Sequence, residues 1–255
     1  MSKPKVIVFS GYGLNCEEET LFAFTQAGAV GEIVHINDII SKKKKLADYQ
    51  IAALPGGFSY GDDTGSGKAY ANKLKNHLSG DLKTFAESDK LIIGICNGFQ
   101  ILTNTGLLPG ALLANDSARY TVRWVDVKVT SESPWLTGIK TMMLPVAHGE
   151  GKYYADKKTL ASLKRHDQVA LHYTKGEISK HFNLPPNPNG ALEDIAGITG
   201  YTGRVLGLMP HPERAMFFTQ LPHWTYLKAH NAKVLLSGEG PGLQIFRNAV
   251  NYFSK

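Results

Sequence analysis

The sequence predicts an α/β fold, an open and mostly parallel sheet with helices on both faces. In the first half of the chain, short apolar runs alternate with helix-length segments, which is the order of a parallel sheet and its crossover helices. A continuous apolar run at residues 91–95 is typical of a strand covered on both faces. Residues 122–129 have period-two alternation, which predicts a half-exposed strand in a small antiparallel extension.

The elements of the first half follow in order. Residues 6–9 predict a buried strand, and Asn15 with Glu18 forms a capping-box pattern for a helix that Gly28 ends. Residues 32–36 and 51–54 predict the next two strands. The apolar face of that first helix consists of Leu21, Phe22, Phe24 and Ala27. A glycine-rich stretch then leads to a helix from residue 68 to about 78, and after the strand 91–95 a helix runs from 97 to about 105, closed by Gly106.

The second half is less regular. It predicts a loop at the proline- and asparagine-rich residues 184–190. It also predicts strands at 169–173, 195–199 and 205–209 and a closing helix at 246–253. No internal repeat, linker or boundary divides the sequence, so we expect one domain over residues 1–255.

Composition limits the class of protein. The chain has 255 residues, 43% of them hydrophobic and 20% charged, which excludes a disordered or collagen-like protein. Part of the net charge of +6 lies in four consecutive lysines at residues 42–45. This run predicts a solvated loop, because it lacks the glycine–aromatic context of a nucleic-acid module. We therefore expect no nucleic-acid partner; a surface for an acidic partner or a phosphorylated substrate is the other interpretation.

The two cysteines, Cys16 and Cys96, give no disulfide framework and suit a reducing compartment. The N-terminal apolar run is too short for a signal peptide or a membrane span. The sequence therefore predicts a cytoplasmic protein without a membrane partner. The scattered histidines and cysteines lack zinc spacing, so we predict no metal site.

The strongest functional signal surrounds Cys96. Gly94, Cys96 and Gly98 form the pattern G-x-C-x-G between a predicted strand and a predicted helix, which is the cysteine form of a nucleophile elbow. A tight strand-to-helix turn needs small neighbours, and the helix N-terminus that follows favours the thiolate. The alternative is an inert core cysteine, and the flanking glycines favour the nucleophile. Cys16 lacks such a context, and we interpret it as structural.

A thiolate nucleophile needs an imidazole base, and His211 is the candidate. It follows a predicted strand, and Pro210 and Pro212 flank it, so we expect extended chain there. Residues two apart in extended chain project to the same side. Glu213 would then accept the Nδ1 hydrogen and leave Nε2 to face the sulfur. The alternative is a surface loop that contains histidine and glutamate by chance.

The loop 54–62 follows the third predicted strand and contains Gly56 and Gly57. A double glycine at the carboxyl end of a strand lets backbone N–H groups approach a ligand. We expect Gly56 and Phe58 to line the substrate site and the N–H groups of Gly57 and Asn97 to form an oxyanion hole. A phosphate-binding loop is the alternative, but neither of its glycine patterns is present. A tight turn without a functional role is the second alternative.

Together these motifs resemble the class I, or triad-type, glutamine amidotransferases. Within them, the chain is most similar to the glutaminase components of phosphoribosylformylglycinamidine synthase. The resemblance covers nearly the whole chain. It is carried by residues 15–20, 56–62, 94–100, 106–110, 147–151, 187–190, 195–198 and 208–214.

The resemblance implies a flavodoxin-like amidotransferase fold and a reaction. Cys96 would attack glutamine, His211 would transfer protons, and the thioester would be hydrolysed. Gln100, Gly149 and Glu150 would contact bound glutamine. Ammonia would pass to a separate synthetase subunit that carries ATP and magnesium, with a small third subunit in some organisms, and this chain would need no cofactor.

Two alternatives stay open at this stage: a glutaminase that feeds a different synthetase, and a non-catalytic module that binds a phosphorylated ligand. The chain departs from many relatives after Gly61, where Asp62 opens a more polar stretch. Residues 42–45 and 221–240 also look longer than in compact relatives. These three regions could contact the synthetase.

Overall fold

The computed structural model describes residues 3–62, 65–230 and 238–254. Most of its elements alternate between strand and helix along the first half of the chain. The strands are β1 (Lys5–Ser10), β2 (Val30–His35), β3 (Ile51–Leu54), β4 (Leu91–Ile95), β5 (Ala111–Leu113), β6 (Thr121–Val129), β7 (Thr141–His148), β8 (Lys152–Tyr154), β9 (Val169–Thr174), β10 (Ile195–Gly200) and β11 (Val205–Leu208). The α-helices are α1 (Glu17–Gln26), α2 (Ile36–Ile40), α3 (Lys68–Glu87), α4 (Asn97–Thr105), α5 (Lys157–Arg165), α6 (Glu177–His181), α7 (Trp224–His230) and α8 (Leu243–Tyr252).

Nine strands of the described chain form one sheet in the order β2-β1-β3-β4-β11-β10-β9-β6-β7. The five strands β2, β1, β3, β4 and β11 are parallel to one another. The remaining four are joined antiparallel. The mostly parallel sheet and its antiparallel extension agree with the fold class that the sequence predicts.

The central strands β3, β4 and β11 determine where the candidate site lies. In register, Leu54 of β3 pairs with Gly94 of β4, and Leu208 of β11 pairs with Ile95 of β4. These three parallel strands therefore end at the same edge of the sheet. The segments that follow them contain the double glycine, the candidate nucleophile and the candidate base, and ligands of open α/β sheets bind at that edge.

Helices pack on the sheet in two groups. α1 and α8 contact each other, and the rings of Phe24 and Phe246 meet edge to face at 4.9 Å. α3 and α4 form the second pair, and α4 packs on β3, β4 and β11. All five residues of β4 are buried, as expected for a strand covered on both faces.

Several predicted boundaries were wrong. Asn15 does not cap the first helix: Cys16 is the N-cap residue and makes no side-chain cap bond. The N–H groups of Asn15 and Cys16 instead donate to the carbonyl of Gly56, both at 3.2 Å. α3 continues to Glu87 rather than ending near residue 78. β2 ends at His35, whose imidazole accepts from the Asn37 N–H and caps α2.

Strand β7 was missed, because Pro145 lies inside it. Proline removes a backbone donor and is therefore found on edge strands. β7 is the last strand of the sheet, and it pairs along its length with β6.

The three regions named as possible partner contacts are partly outside the described residues: 63–64 in the first and 231–237 in the third. In the run 42–45, Lys43 pairs with Asp38 at 3.3 Å and Lys44 with Glu32 at 2.5 Å. Two of these lysines are thus engaged by acidic side chains of their own chain. None of the helices in the described ranges is long and apolar enough to cross a membrane.

Candidate active site

The turn from β4 to α4 holds Cys96 in a strained conformation. Its φ is 50° and its ψ is −105°, a region that side-chain-bearing residues rarely adopt. A Cβ on Gly98 would lie 1.9 Å from the Leu54 carbonyl oxygen, and one on Gly94 would lie 2.5 Å from Leu102. Only glycine fits at these two positions, so the G-x-C-x-G pattern has a steric cause.

The candidate base follows β11. The His211 N–H donates to the carbonyl of Pro145 at 2.8 Å, and its Nδ1 lies 2.6 Å from Oε1 of Glu213. Both side chains are buried. The expected extended chain is wrong beyond His211, because residues Pro212–Arg214 form a 3-10 turn with proline at its start, where a missing N–H costs nothing. The turn, rather than an extended segment, brings the carboxylate to the imidazole.

Charge around His211 favours its protonated form. Burial opposes a positive charge there, but the Glu213 carboxylate and the sulfurs of Cys96 and Cys16 outweigh it and hold the pKa of His211 well above its ordinary value. Because Nδ1 is bonded to Glu213, Nε2 is the nitrogen left for proton transfer. Nε2 is buried and makes no well-formed hydrogen bond within the described part of the chain. The structure thus brings Cys96, His211 and Glu213 into one group.

Gly56 lies against the base. A Cβ there would be 2.7 Å from Cε1 of His211 and 3.0 Å from Sγ of Cys16. Its small size therefore makes room for the imidazole and for a second thiol. A direct contact of Gly56 with substrate stays a prediction.

Gly57 has a φ of 152°, and a Cβ on it would lie 2.6 Å from the Gly13 carbonyl oxygen. Its N–H has no hydrogen-bond partner among residues 3–62, 65–230 and 238–254. The Ser59 N–H donates to Oδ1 of Asn97 at 3.3 Å, which ties this loop to the start of α4. The oxyanion hole predicted from the N–H groups of Gly57 and Asn97 stays a prediction, and this geometry supports it.

Gln100 is buried one turn after Cys96. Its Nε2 donates to the Glu150 carbonyl at 2.6 Å, and its Oε1 accepts from Nδ2 of Asn97 at 2.8 Å. The Glu150 carboxylate accepts from the Ser66 N–H at 3.1 Å. In this structure Gln100 therefore joins α4 to the segment that contains Glu150, and its predicted contact with glutamine is untested.

Two exposed rings lie nearby. The Phe58 and Tyr120 ring centroids are 5.7 Å apart. Burial raises the pKa of Tyr120, and the negative charge of Cys96 raises it further. Gly149 lies next to the Tyr120 ring, which would be 3.7 Å from a Cβ built on Gly149. The predicted substrate residues Phe58 and Gly149 thus lie on one side of the site.

Cys16 lies beside the candidate base, a position that the sequence did not predict, and its interpretation as structural stays a prediction. Its Sγ accepts from Arg214 Nη2 at 2.9 Å, and Arg214 also bonds Glu19 at 3.2 Å. Burial raises the pKa of the Cys16 thiol, although His211 and Arg214 oppose this. A signal was available in the sequence, because Cys16 lies inside the string 15–20 that carries the family resemblance.

Donor atoms of Cys16, His211 and Glu213 lie within 4.8 Å of one another, a set that zinc could use. The guanidinium of Arg214 bonds the sulfur and lies 4.0 Å from the Glu213 carboxylate. A fixed positive charge at that place disfavours a cation, so the arrangement favours a cluster for proton transfer.

Comparison with known proteins agrees with this geometry. The family model of the CobB/CobQ-like glutamine amidotransferase domain matches residues 3–253. The phosphoribosylformylglycinamidine synthase subunit PurQ of Methanococcus maripaludis is 52% identical, over 99% of each chain. The subunit of the same name from Dehalococcoides mccartyi is 42% identical, over 99% of this chain and 98% of its own.

The chain belongs to the PurQ family of glutamine amidotransferases. A solved structure supports the same family: a chain of PurLQS from Thermotoga maritima is 33% identical, with a TM-score of 0.74 over 99% of this chain and 100% of that one. Membership in the PurQ family accounts for the order of the motifs along the chain. The double glycine, the cysteine and the histidine–glutamate pair follow three adjacent parallel strands of one sheet.

Proposed function

We propose that this chain is the glutaminase subunit of a phosphoribosylformylglycinamidine synthase and that it hydrolyses glutamine to glutamate and ammonia. One observation carries the proposal. A strained, buried Cys96 shares its site with the buried pair of His211 and Glu213. A nucleophile, a base and a group that orients the base are what amide hydrolysis through a thioester requires.

The first step forms the thioester. The Cys96 thiol gives its proton to the neutral His211, which forms the imidazolium that Glu213 and the thiolate favour. The thiolate sulfur then attacks the side-chain amide carbon of glutamine. The negative oxygen that develops would face the N–H groups of Gly57 and Asn97, and removal of one such donor costs about 3–4 kcal/mol of barrier in a comparable site. The positive N-terminus of α4 adds to this stabilisation.

In the second step the C–N bond breaks. His211 returns its proton to the departing nitrogen, which leaves as ammonia. Water, deprotonated by the same imidazole, then attacks the thioester and releases glutamate and the free thiol. Glu213 holds the ring through Nδ1 and stabilises its charged form in both steps, since its carboxylate favours the imidazolium.

The ammonia is supplied to a synthetase subunit, which carries ATP and magnesium and converts formylglycinamide ribonucleotide to the amidine. The Thermotoga maritima neighbour belongs to a PurLQS structure, which supports a synthetase partner and a small third subunit for this chain. We assign residues 1–255 to a single cytoplasmic glutaminase domain. Residues 42–45, 221–240 and the stretch after Gly61 are the candidate partner contacts.

Ammonia release from glutamine tests the proposal, measured with the synthetase present. Cys96→Ala is expected to reduce the rate by about 10³-fold or more, because the nucleophile is lost. Equal rates for wild type and variant would rule the proposal out. Replacing formylglycinamide ribonucleotide by other acceptors tests which synthetase the chain serves.

Cys16 provides an internal control in the same molecule. A glutamine-like electrophile should modify Cys96 and leave Cys16 unmodified, as read by mass spectrometry of the two cysteine peptides. Modification of neither cysteine would favour a non-catalytic binding module instead.

A further inference from the structure

The segment 147–151, which we call the wall loop, comprises the last two residues of β7 and the connection to β8, and it contacts Cys96. The Cys96 thiol donates to the Ala147 carbonyl at 3.6 Å. Gln100 donates to the Glu150 carbonyl at 2.6 Å. One side of the wall loop is therefore set against the nucleophile and the helix that carries it.

Asn115 holds the wall loop from behind. Its Nδ2 donates to the carbonyls of His148 and Arg119, both at 2.9 Å. Its backbone N–H donates to the Gly149 carbonyl at 2.9 Å, and its Oδ1 accepts from the Gly151 N–H at 3.0 Å. One buried asparagine thus bonds three residues of the loop: His148, Gly149 and Gly151.

These bonds fix the state of His148. Because Nδ2 of Asn115 donates to carbonyls, its Oδ1 is an acceptor, and the His148 Nδ1 at 3.1 Å must carry a hydrogen. Nε2 then accepts from Nδ2 of Asn189 at 3.4 Å. Burial is the main cause that lowers the pKa of His148 to about 4, and the charges of His211 and Arg123 act in the same direction. His148 is therefore neutral, with one tautomer.

Asn189 completes the network from a third segment. Its Nδ2 donates to the Gly151 carbonyl at 2.8 Å, and its Oδ1 accepts from the Ala191 N–H at 2.9 Å. A Cβ on Gly151 would lie 2.3 Å from the His148 ring, so the ring packs directly on the backbone of the loop. The motifs 147–151 and 187–190 are thereby explained by one structure.

A network that only stabilises the fold is the competing interpretation. Its members come from positions 115, 148 and 189, and each is 2% exposed. Asn115 and Asn189 bond the wall loop, and His148, which belongs to it, bonds both asparagines. The opposite side of the same loop contacts Cys96. Buried polar networks specify a single geometry when fully satisfied, and a misplacement of about 1 Å in a catalytic site can lower the rate about 100-fold.

We infer that Asn115, His148 and Asn189 are positioning residues that hold the wall loop against Cys96 for the glutaminase reaction. The inference rests on the proposed function. Loss of the network should therefore reduce turnover in molecules that remain folded. The wild-type rate tests the proposed function separately, since a wild type without activity contradicts that function and not the geometry of the network.

His148→Leu and His148→Asn form a matched pair of similar size. Leucine makes neither ring bond, whereas the asparagine amide can donate to Asn115 as Nδ1 does. We expect His148→Leu to lower kcat/KM for glutamine about 10- to 100-fold in the synthetase complex, mainly through kcat, and His148→Asn to recover most of it. His172→Leu is the control, because this half-buried histidine bonds Thr130 and not the loop.

Rates are expressed per folded molecule. Wild-type turnover by folded His148→Leu would overturn the inference, because the network would then be merely structural. If that variant does not fold, ¹⁵N spectra of labelled histidine in the wild-type chain decide. Hydrogen on Nδ1 and no protonation at pH 6 support the network, and hydrogen on Nε2 or a charged ring contradicts it.

Discussion

The nucleophile turn and the wall loop meet at Cys96, but they are built in different ways. Residues 94–98 form the turn from one contiguous segment, whose glycines are required because any Cβ would strike Leu54 or Leu102. The wall loop depends on hydrogen bonds from the side chains of two distant segments, at Asn115 and Asn189. The first region is specified by steric exclusion and the second by satisfied polar groups.

The two regions should therefore be disrupted by different changes. A site specified by steric exclusion loses its structure when side-chain volume is added, whatever the pH. A polar site fails when a charge or a hydrogen is changed, and it responds to pH. The His211–Glu213 pair is a polar site of this kind, since one hydrogen bond and one charge define it.

The largest effect on activity is expected at the His211–Glu213 pair. Glu213→Gln keeps the shape and removes the charge that raises the pKa of His211. We predict a loss of kcat of about 10³-fold, by analogy with other triads that lose their acidic member. The pH dependence of the glutaminase rate in the synthetase complex should shift as the pKa of His211 falls. A variant with wild-type kcat and an unchanged pH profile would contradict the role of Glu213.

The steric specification of the nucleophile turn is tested by adding one methyl group to it. Gly98→Ala places a Cβ 1.9 Å from the Leu54 carbonyl oxygen, and we predict a loss of about 3 kcal/mol in the free energy of unfolding. Urea denaturation measures it. Gly80→Ala is the matched control within a helix, because nothing lies within 4 Å of its Cβ and the site is exposed.

The control should become more stable by about 1 kcal/mol, the helix preference of alanine over glycine. Similar effects of the two substitutions would show that close packing does not specify the nucleophile turn.

The same division explains what could be predicted from the sequence. The nucleophile turn is local, so a contiguous pattern indicated Cys96, its glycines and the strand and helix around it. The pairing of His211 with Glu213 was anticipated for a wrong geometric reason, since a 3-10 turn and not extended chain joins them.

The wall-loop network was not anticipated, because no local pattern shows that positions 115, 148 and 189 meet. The position of Cys16 beside the site was not anticipated for the same reason: Arg214, which bonds it, is 198 residues away. β7 was missed because its proline argues against a strand until its position at the sheet edge is known. Long-range contacts of this kind depend on the topology, and the topology was predicted only as a class.

The smallest effect is expected in acid, and it distinguishes the polar network from the steric turn. The folded chain keeps His148 neutral down to about pH 4, whereas an ordinary histidine has a pKa of 6.5. Between those values the unfolded chain binds the extra proton, so stability falls as the pH falls. The full difference of 6.5 − 4, or 2.5 pH units, corresponds to ~3 kcal/mol, and from pH 7 to pH 5 we expect ~2 kcal/mol.

Urea denaturation of wild type and His148→Asn at pH 7 and pH 5 measures this contribution. The variant lacks the histidine, so its stability should fall by ~2 kcal/mol less than that of wild type over this range. His211, whose pKa is raised, acts in the opposite direction, but it is present in both proteins and cancels in the comparison. Equal losses would show that His148 is not held neutral, and the contrast between a pH-sensitive wall loop and a pH-insensitive nucleophile turn would then fail.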